Sequence, residues 1–136
     1  MSLSRILRFG CLVPLMALSA CSALKQGSAE EIVAERADLR WKALVSGDWK
    51  KAYEFSTPAY RKAVSLEQFI GSQIGAVARR GHEILSVKCT EDVCEAMVRL
   101  QYSVALPGFA KGSGSSTDYA ERWVREGGQW YVYRRI

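Results

Sequence analysis

Between Cys94 and Val104 the side chains alternate in character without a break. Cys94, Ala96, Val98, Leu100, Tyr102 and Val104 fall on one side, and Glu95, Met97, Arg99, Gln101 and Ser103 on the other. A period of two belongs to an extended chain, whose successive side chains point to opposite faces. The run predicts a long antiparallel strand with one buried and one wetter face.

The same period recurs on both sides of it. After Gly81, Leu85, Val87 and Cys89 alternate with Ile84, Ser86 and Lys88. Residues 107–117, rich in Gly and Ser, read as loop, after which Tyr119, Glu121 and Trp123 alternate with Ala120, Arg122 and Val124. Glu126-Gly-Gly-Gln129 reads as a tight turn. Beyond it Trp130, Val132, Arg134 and Ile136 alternate with Tyr131 and Tyr133 in a last strand.

Upstream the period is helical. Ser28 and Glu31 have the spacing of a capping box, and Ile32, Val33, Ala37, Trp41, Leu44 and Val45 then recur at three-to-four spacing until Gly47. Glu31, Glu35, Asp38 and Lys42 fall on the opposite face. Asp48 caps a second short helix with Trp49, Ala52 and Tyr53 turned inward, and Pro58 ends it. One more turn is expected at Ala59-Tyr60-Arg61. Ser65 and Gln68 open a further helix with Leu66, Phe69, Ile70 and Ile74 as its buried stripe.

Helices first and a meander of strands after is an α+β pattern. Trp41-Lys-Ala-Leu44, Gly47-Asp-Trp-Lys-Lys-Ala-Tyr53, Pro58-Ala-Tyr-Arg61 and Trp123-Val-Arg-Glu-Gly-Gly-Gln-Trp-Tyr131 resemble the nuclear transport factor 2 superfamily over residues 29–136. The resemblance implies N-terminal helices packed on a curved antiparallel sheet, a cone whose mouth is a pocket. A compact α/β-plait is the alternative. Catalytic members of the superfamily place Asp, His or Tyr inside the cone.

The first residues say where such a domain would be held. Arg5 and Arg8 precede an apolar stretch, Phe9 to Leu18, of about ten residues, half of the roughly twenty needed to cross a bilayer. This is the layout of a secretory signal. Leu18-Ser19-Ala20-Cys21 resembles the lipobox of bacterial lipoproteins, in which the Cys21 thiol accepts diacylglycerol before cleavage. The expected organisation is a signal peptide (1–20), a lipidated tether (21–28) and one α+β domain (29–136). Two or more acyl chains hold a protein stably at a membrane. Ser22 after the cysteine favours the outer membrane, periplasmic side, with the inner membrane as the alternative. Seven extended tether residues span only about 25 Å, so the domain would sit close to the surface.

An exported chain meets an oxidising compartment, where disulfides persist. Cys11 leaves with the signal and Cys21 is acylated, so Cys89 and Cys94 remain as a pair flanking a four-residue polar connection. A structural disulfide across a hairpin is expected. A metal pair would lack its other ligands, and redox dithiols favour Cys-x-x-Cys.

Nothing in the residues calls for catalysis. The sequence has one histidine, His82, which reads as a surface residue at a strand start. There is no His-Asp dyad, nucleophile elbow or metal cluster in the pattern, and no cofactor is expected. Glu121 is the one acid placed to enter a pocket, with pairing to Arg99 or Arg122 across the sheet as its plainer role. Trp41, Tyr53, Tyr102 and Trp123 are candidates for pocket lining, though aromatics at these spacings more often fill a core. The net charge of +5 is scattered and joins no recognisable module, which excludes nucleic acid as a partner. In the long loop, Leu106 and Phe109 are candidates for docking a partner. The expected function is a membrane-anchored, non-enzymatic interaction module with an envelope protein partner. The alternative is a small-molecule or lipid-binding module using the cone.

Overall fold

The computed structural model describes residues 27–75, 77–104 and 114–136. Four helices, α1 (Ala29–Ser46), α2 (Trp49–Glu54), α3 (Pro58–Ala63) and α4 (Leu66–Gln73), precede four strands. The strands are β1 (Val77–Thr90), β2 (Val93–Val104), β3 (Gly114–Glu126) and β4 (Gln129–Val132). Each pairs antiparallel with its neighbour in sequence, giving one sheet in the order β1-β2-β3-β4. This is the α+β arrangement expected from the sequence, helices packed on an antiparallel sheet.

The helix starts follow from their caps. Ser28 accepts from the Glu31 amide while the Glu31 carboxylate accepts from the Ser28 amide, satisfying two donors that α1 would otherwise leave orphaned. Ser65 and Gln68 do the same for α4. Asp48 and Thr57 cap α2 and α3, with Pro58 at the start of α3, where its missing N–H is not needed. Gly47 ends α1 in the left-handed region, φ 77°, where a side chain is strained. The turn from β3 to β4 uses two more such residues, Gly127 and Gly128.

α1 lies across β1 and β2 and divides the core into two patches. Val33 and Ala37 pack with Phe55, Cys94, Ala96, Trp123, Trp130 and Val132. One turn further on, Trp41 and Leu44 pack with Ala52, Tyr60, Phe69, Val98 and Leu100. The inward positions of β2 are the ones its alternation selects, since Cys94, Ala96, Val98 and Leu100 are all buried. The short helices are tied to the sheet by backbone bonds, with Val132 N–H donating to Phe55 O at 2.9 Å.

Several local expectations are corrected. β1 begins at Val77 rather than after Gly81, because Val77, Ala78 and Arg79 pair with Val104, Ser103 and Tyr102. A continuous partner on β2 outweighs the polar Arg79-Arg80 pair. Its register slips between Ile84 and Ser86, so Ile84 packs inward and Leu85 is pushed out to solvent. A bulge of this kind reverses which residues face the core. Ile74 follows the end of α4 and is 67% exposed, so the buried stripe of that helix stops short of it. Gly114 to Thr117, expected as loop, extend β3 by pairing with Ser103 to Leu100. The last strand ends at Val132, leaving Arg134 and Ile136 outside it.

Candidate functional site

Along α1, Arg40 falls between the two core patches, on the same face as Ala37, Trp41 and Leu44. On the sheet, Glu121 lies opposite Ala96, on the face of β3 that carries Trp123. The two side chains therefore meet between helix and sheet, and Arg40 Nη1 donates to Glu121 Oε1. Arg40 is only 4% exposed and Glu121 9%. Burial pulls the Arg40 guanidinium below its ordinary pKa; Glu121 works against that, and Arg134 and Arg79 add to it by like-charge repulsion. Arg40 Nε and Glu121 Oε2 are buried without a hydrogen-bond partner among the described residues. The pairing of Glu121 with Arg99 or Arg122 is thus corrected. Arg99 reaches Asp118 instead, at 2.9 and 3.1 Å, on the outer face.

This pair forms part of the wall of a cavity of about 300 Å³. Trp41, Leu44 and Leu100 come to it from the second core patch. Arg79 comes from β1, Tyr119 and Arg122 from β3, and Tyr133 and Arg134 from the segment after β4. Arg79 donates to Gln73 O and Gln73 Oε1, both at 3.1 Å, and lies 5.8 Å from the Trp49 ring. Arg134 sits 5.6 Å from the Tyr60 ring and 5.3 Å from that of Phe69. Burial also lowers the Arg79 pKa; the Tyr119 hydroxyl opposes this and Arg134 adds to it. The chamber is cationic and mixed, with aromatic and aliphatic walls beneath guanidinium groups. Its only carboxylate among the described residues is the one already held by Arg40.

Of the aromatic side chains expected at a pocket, Trp41 lines this one, 5.9 Å from Tyr119 by ring centroids. Tyr53 instead donates its hydroxyl to Arg61 O and Val64 O. Tyr102 packs against the second core patch. Trp123 is fully buried in the first, edge-on to Phe55. Arg40, the residue that organises the cavity floor, is the one sequence reading passed over. Its signal was present, since it falls at three- and seven-residue spacing from Ala37 and Val33 on the apolar face.

His82 is not a surface residue. Its side chain is almost covered, Nε2 is 2.9 Å from Asp38 Oδ1, and the ring stacks near Trp41. A His-Asp contact does exist, contrary to expectation, between residues 44 apart in sequence. Its Asp38 is also held by Lys42 Nζ at 2.6 Å. That bond, with a smaller contribution from His82, keeps the Asp38 carboxyl below the usual range against a modest opposing effect of burial. Neither residue lines the cavity. Cys89 and Cys94 face each other across β1 and β2, with Cα atoms 4.0 Å apart, and are bonded. The connection between the two strands is shorter than expected, only Glu91 and Asp92, with Glu91 in the left-handed region. Cys21, Leu106 and Phe109 lie outside the described residues. Among the described residues, no cluster of three His, Cys, Asp or Glu side chains is placed to hold a metal, and no helix is long and apolar enough to cross a membrane.

No known family profile and no curated protein matches the sequence. In fold the chain is similar to a SEC-C motif containing protein from Rhodopseudomonas palustris. That match has a TM-score of 0.58 and 14% identity over 80% of this chain and 79% of the other. A protein from Campylobacter jejuni described as an NTF2-like transpeptidase overlaps 74% of this chain and 96% of its own, at 15% identity and a TM-score of 0.47. At such identities the likeness is one of fold.

Proposed function

We propose that this chain is an envelope lipoprotein, anchored through Cys21 at the outer membrane, whose domain binds rather than catalyses. The observation that carries the binding reading is the cavity between α1 and the sheet. It has the size of a small-ligand site, with a few convergent polar groups over an apolar floor. Its one carboxylate among the described residues is committed to Arg40, which supports a non-catalytic role, since acid-base work needs a group free to gain and lose a proton. The lipobox sequence supports the anchor, and the Cys89–Cys94 bond accords with an oxidising compartment. The nuclear transport factor 2 resemblance accords with a helix-and-sheet cavity used for recognition.

Of the two classes of counterpart, a small ligand is favoured over an envelope protein, because the cavity is a concavity of small-ligand size with polar groups gathered above an apolar floor. The lining is too rich in arginine for a wholly apolar lipid tail. Native mass spectrometry of the full chain extracted from its own membranes tests the binding reading. A co-purified small molecule, lost when Trp41 is changed to Ala, is the expected result, and a ligand-free mass throughout would refute it. Cys21→Ala tests the anchor separately. It should block processing, and mature-sized protein still fractionating with the outer membrane would sink the lipobox reading.

A further inference from the structure

The charge around the cavity is lopsided. Arg40 is matched by Glu121, but Arg79 and Arg134 have no carboxylate partner among the described residues. Both are steadied by neutral groups. Gln73 and the Trp49 ring hold Arg79, and the Tyr60 and Phe69 rings hold Arg134. Such contacts fix the direction of a guanidinium while leaving its charge unspent. Arg40, Arg79 and Arg134 repel one another around the chamber while only one of the three is matched by a carboxylate, and an anionic occupant removes that repulsion.

Resting on the binding-module reading above, we infer that the cavity is a site for a small organic phosphate. Arg40, Arg79 and Arg134 come to the chamber from three different places, α1, β1 and the segment after β4. A phosphoryl group with three terminal oxygens and up to two charges suits that geometry. A single planar carboxylate has two oxygens and one charge. Trp41, Leu44 and Leu100 give the remaining space an apolar floor, and about 300 Å³ is more than a bare phosphate ion fills. The group attached to the phosphate therefore packs against the Trp41 side. Either a soluble phosphate ester or the head group of a phosphate-monoester lipid supplies this chemistry.

Isothermal titration calorimetry of the full chain in detergent separates the outcomes. Glucose 6-phosphate should bind and glucose should not, and added salt should weaken the binding through screening. Arg79→Gln and Arg134→Gln should each weaken it by roughly tenfold or more, the loss expected for a charged hydrogen bond. Arg125→Gln should leave it unchanged. Arg134 lies outside every strand, so its variant serves if Arg79→Gln fails to fold. Dihexanoyl phosphatidic acid binding more tightly than glucose 6-phosphate identifies the lipid source, and the reverse order identifies a soluble ester. Equal binding of glucose and its phosphate, or unchanged affinity in both arginine variants, overturns the proposal. If neither phosphate binds but native mass spectrometry finds a neutral molecule dependent on Trp41, the binding module stands and only its phosphate specificity falls.

Discussion

Replacing Glu121 by Gln keeps the shape of the side chain and deletes its charge, stranding the Arg40 guanidinium at 4% exposure. Breaking a buried pair from one side costs about 3–5 kcal/mol, because the remaining charge has neither partner nor water. A domain of about a hundred residues loses roughly 4–8 °C in melting temperature per kcal/mol, so a fall of about 12 °C or more is expected. Arg40→Met should cost a similar amount by stranding Glu121. The double variant Arg40→Met/Glu121→Leu is the informative one. It removes both charges together with Arg40 Nε and Glu121 Oε2, which lack partners among the described residues. A buried unsatisfied polar atom costs about 1–3 kcal/mol, so the double variant should be more stable than either single and at least match the parent. Urea unfolding of the parent, Arg40→Met, Glu121→Leu and the double variant closes the cycle. Two single losses of about 3 kcal/mol or more, against none in the double, give an expected coupling of about 6 kcal/mol or more. Additive losses, or single variants within about 0.5 kcal/mol of the parent, would refute the claim that this pair is buried as a unit.

The disulfide closes a loop of only five residues' separation. Its removal by Cys89→Ser/Cys94→Ser should therefore lower stability by about 2 kcal/mol without abolishing the fold, as read from the urea midpoint. Both thiols alkylating without prior reduction would contradict the bond itself. Asp38 offers a pH test. Its carboxyl is held below the ordinary value of 3.8 by the bond from Lys42, against a modest opposing effect of burial and with a smaller contribution from His82. A depressed carboxyl stabilises the fold fully above that ordinary value and loses the contribution as pH falls through its lower folded value. Asp38→Asn should therefore flatten the loss of stability between pH 5 and pH 2, by an amount kept small by exposure to solvent. Parallel curves for parent and variant would show that the Lys42 and His82 contacts contribute nothing to folding.

Much of this architecture could be read from the chain because it depends on local chemistry. Ser28 with Glu31 and Ser65 with Gln68 are capping boxes in sequence and in structure. The alternation from Cys94 to Leu100 marks the buried side of β2 correctly because that strand is regular throughout. β1 was harder to read. A bulge inserts one residue into a period of two, so Leu85 sits where an unbroken alternation would bury it. The ends of β1 and β3 were also hidden, since Arg79 and Ser115 carry no apolar signal and are strand residues only because a neighbour pairs with them. The site lay partly beyond reach for a related reason. Glu121 was placed near a pocket from its strand, but its partner comes from a helix 81 residues away, and no local pattern joins the two. His82 and Asp38 met by the same kind of long-range packing. Arg40 itself was legible, and was missed because a charged residue on an apolar helix face is usually read as belonging to the solvent side.

The two irregularities in β1, after Arg79 and after Ile84, bear on what happens when many copies share a small area. β1 is an outermost strand of the sheet, and an outer strand presents unpaired amides and carbonyls to any other extended chain. A straight row of them fourteen residues long would be a template for fibrillar association. Each irregularity interrupts that row, leaving segments too short to hold a second strand in step. Glu83 and Lys88 add exposed charge along it. Confinement by a lipid anchor would raise local concentration and hold the domains in similar orientation, the conditions under which an intact edge is most hazardous. The kinks that made β1 hard to read from sequence would, on such a surface, keep neighbouring copies colloidally apart.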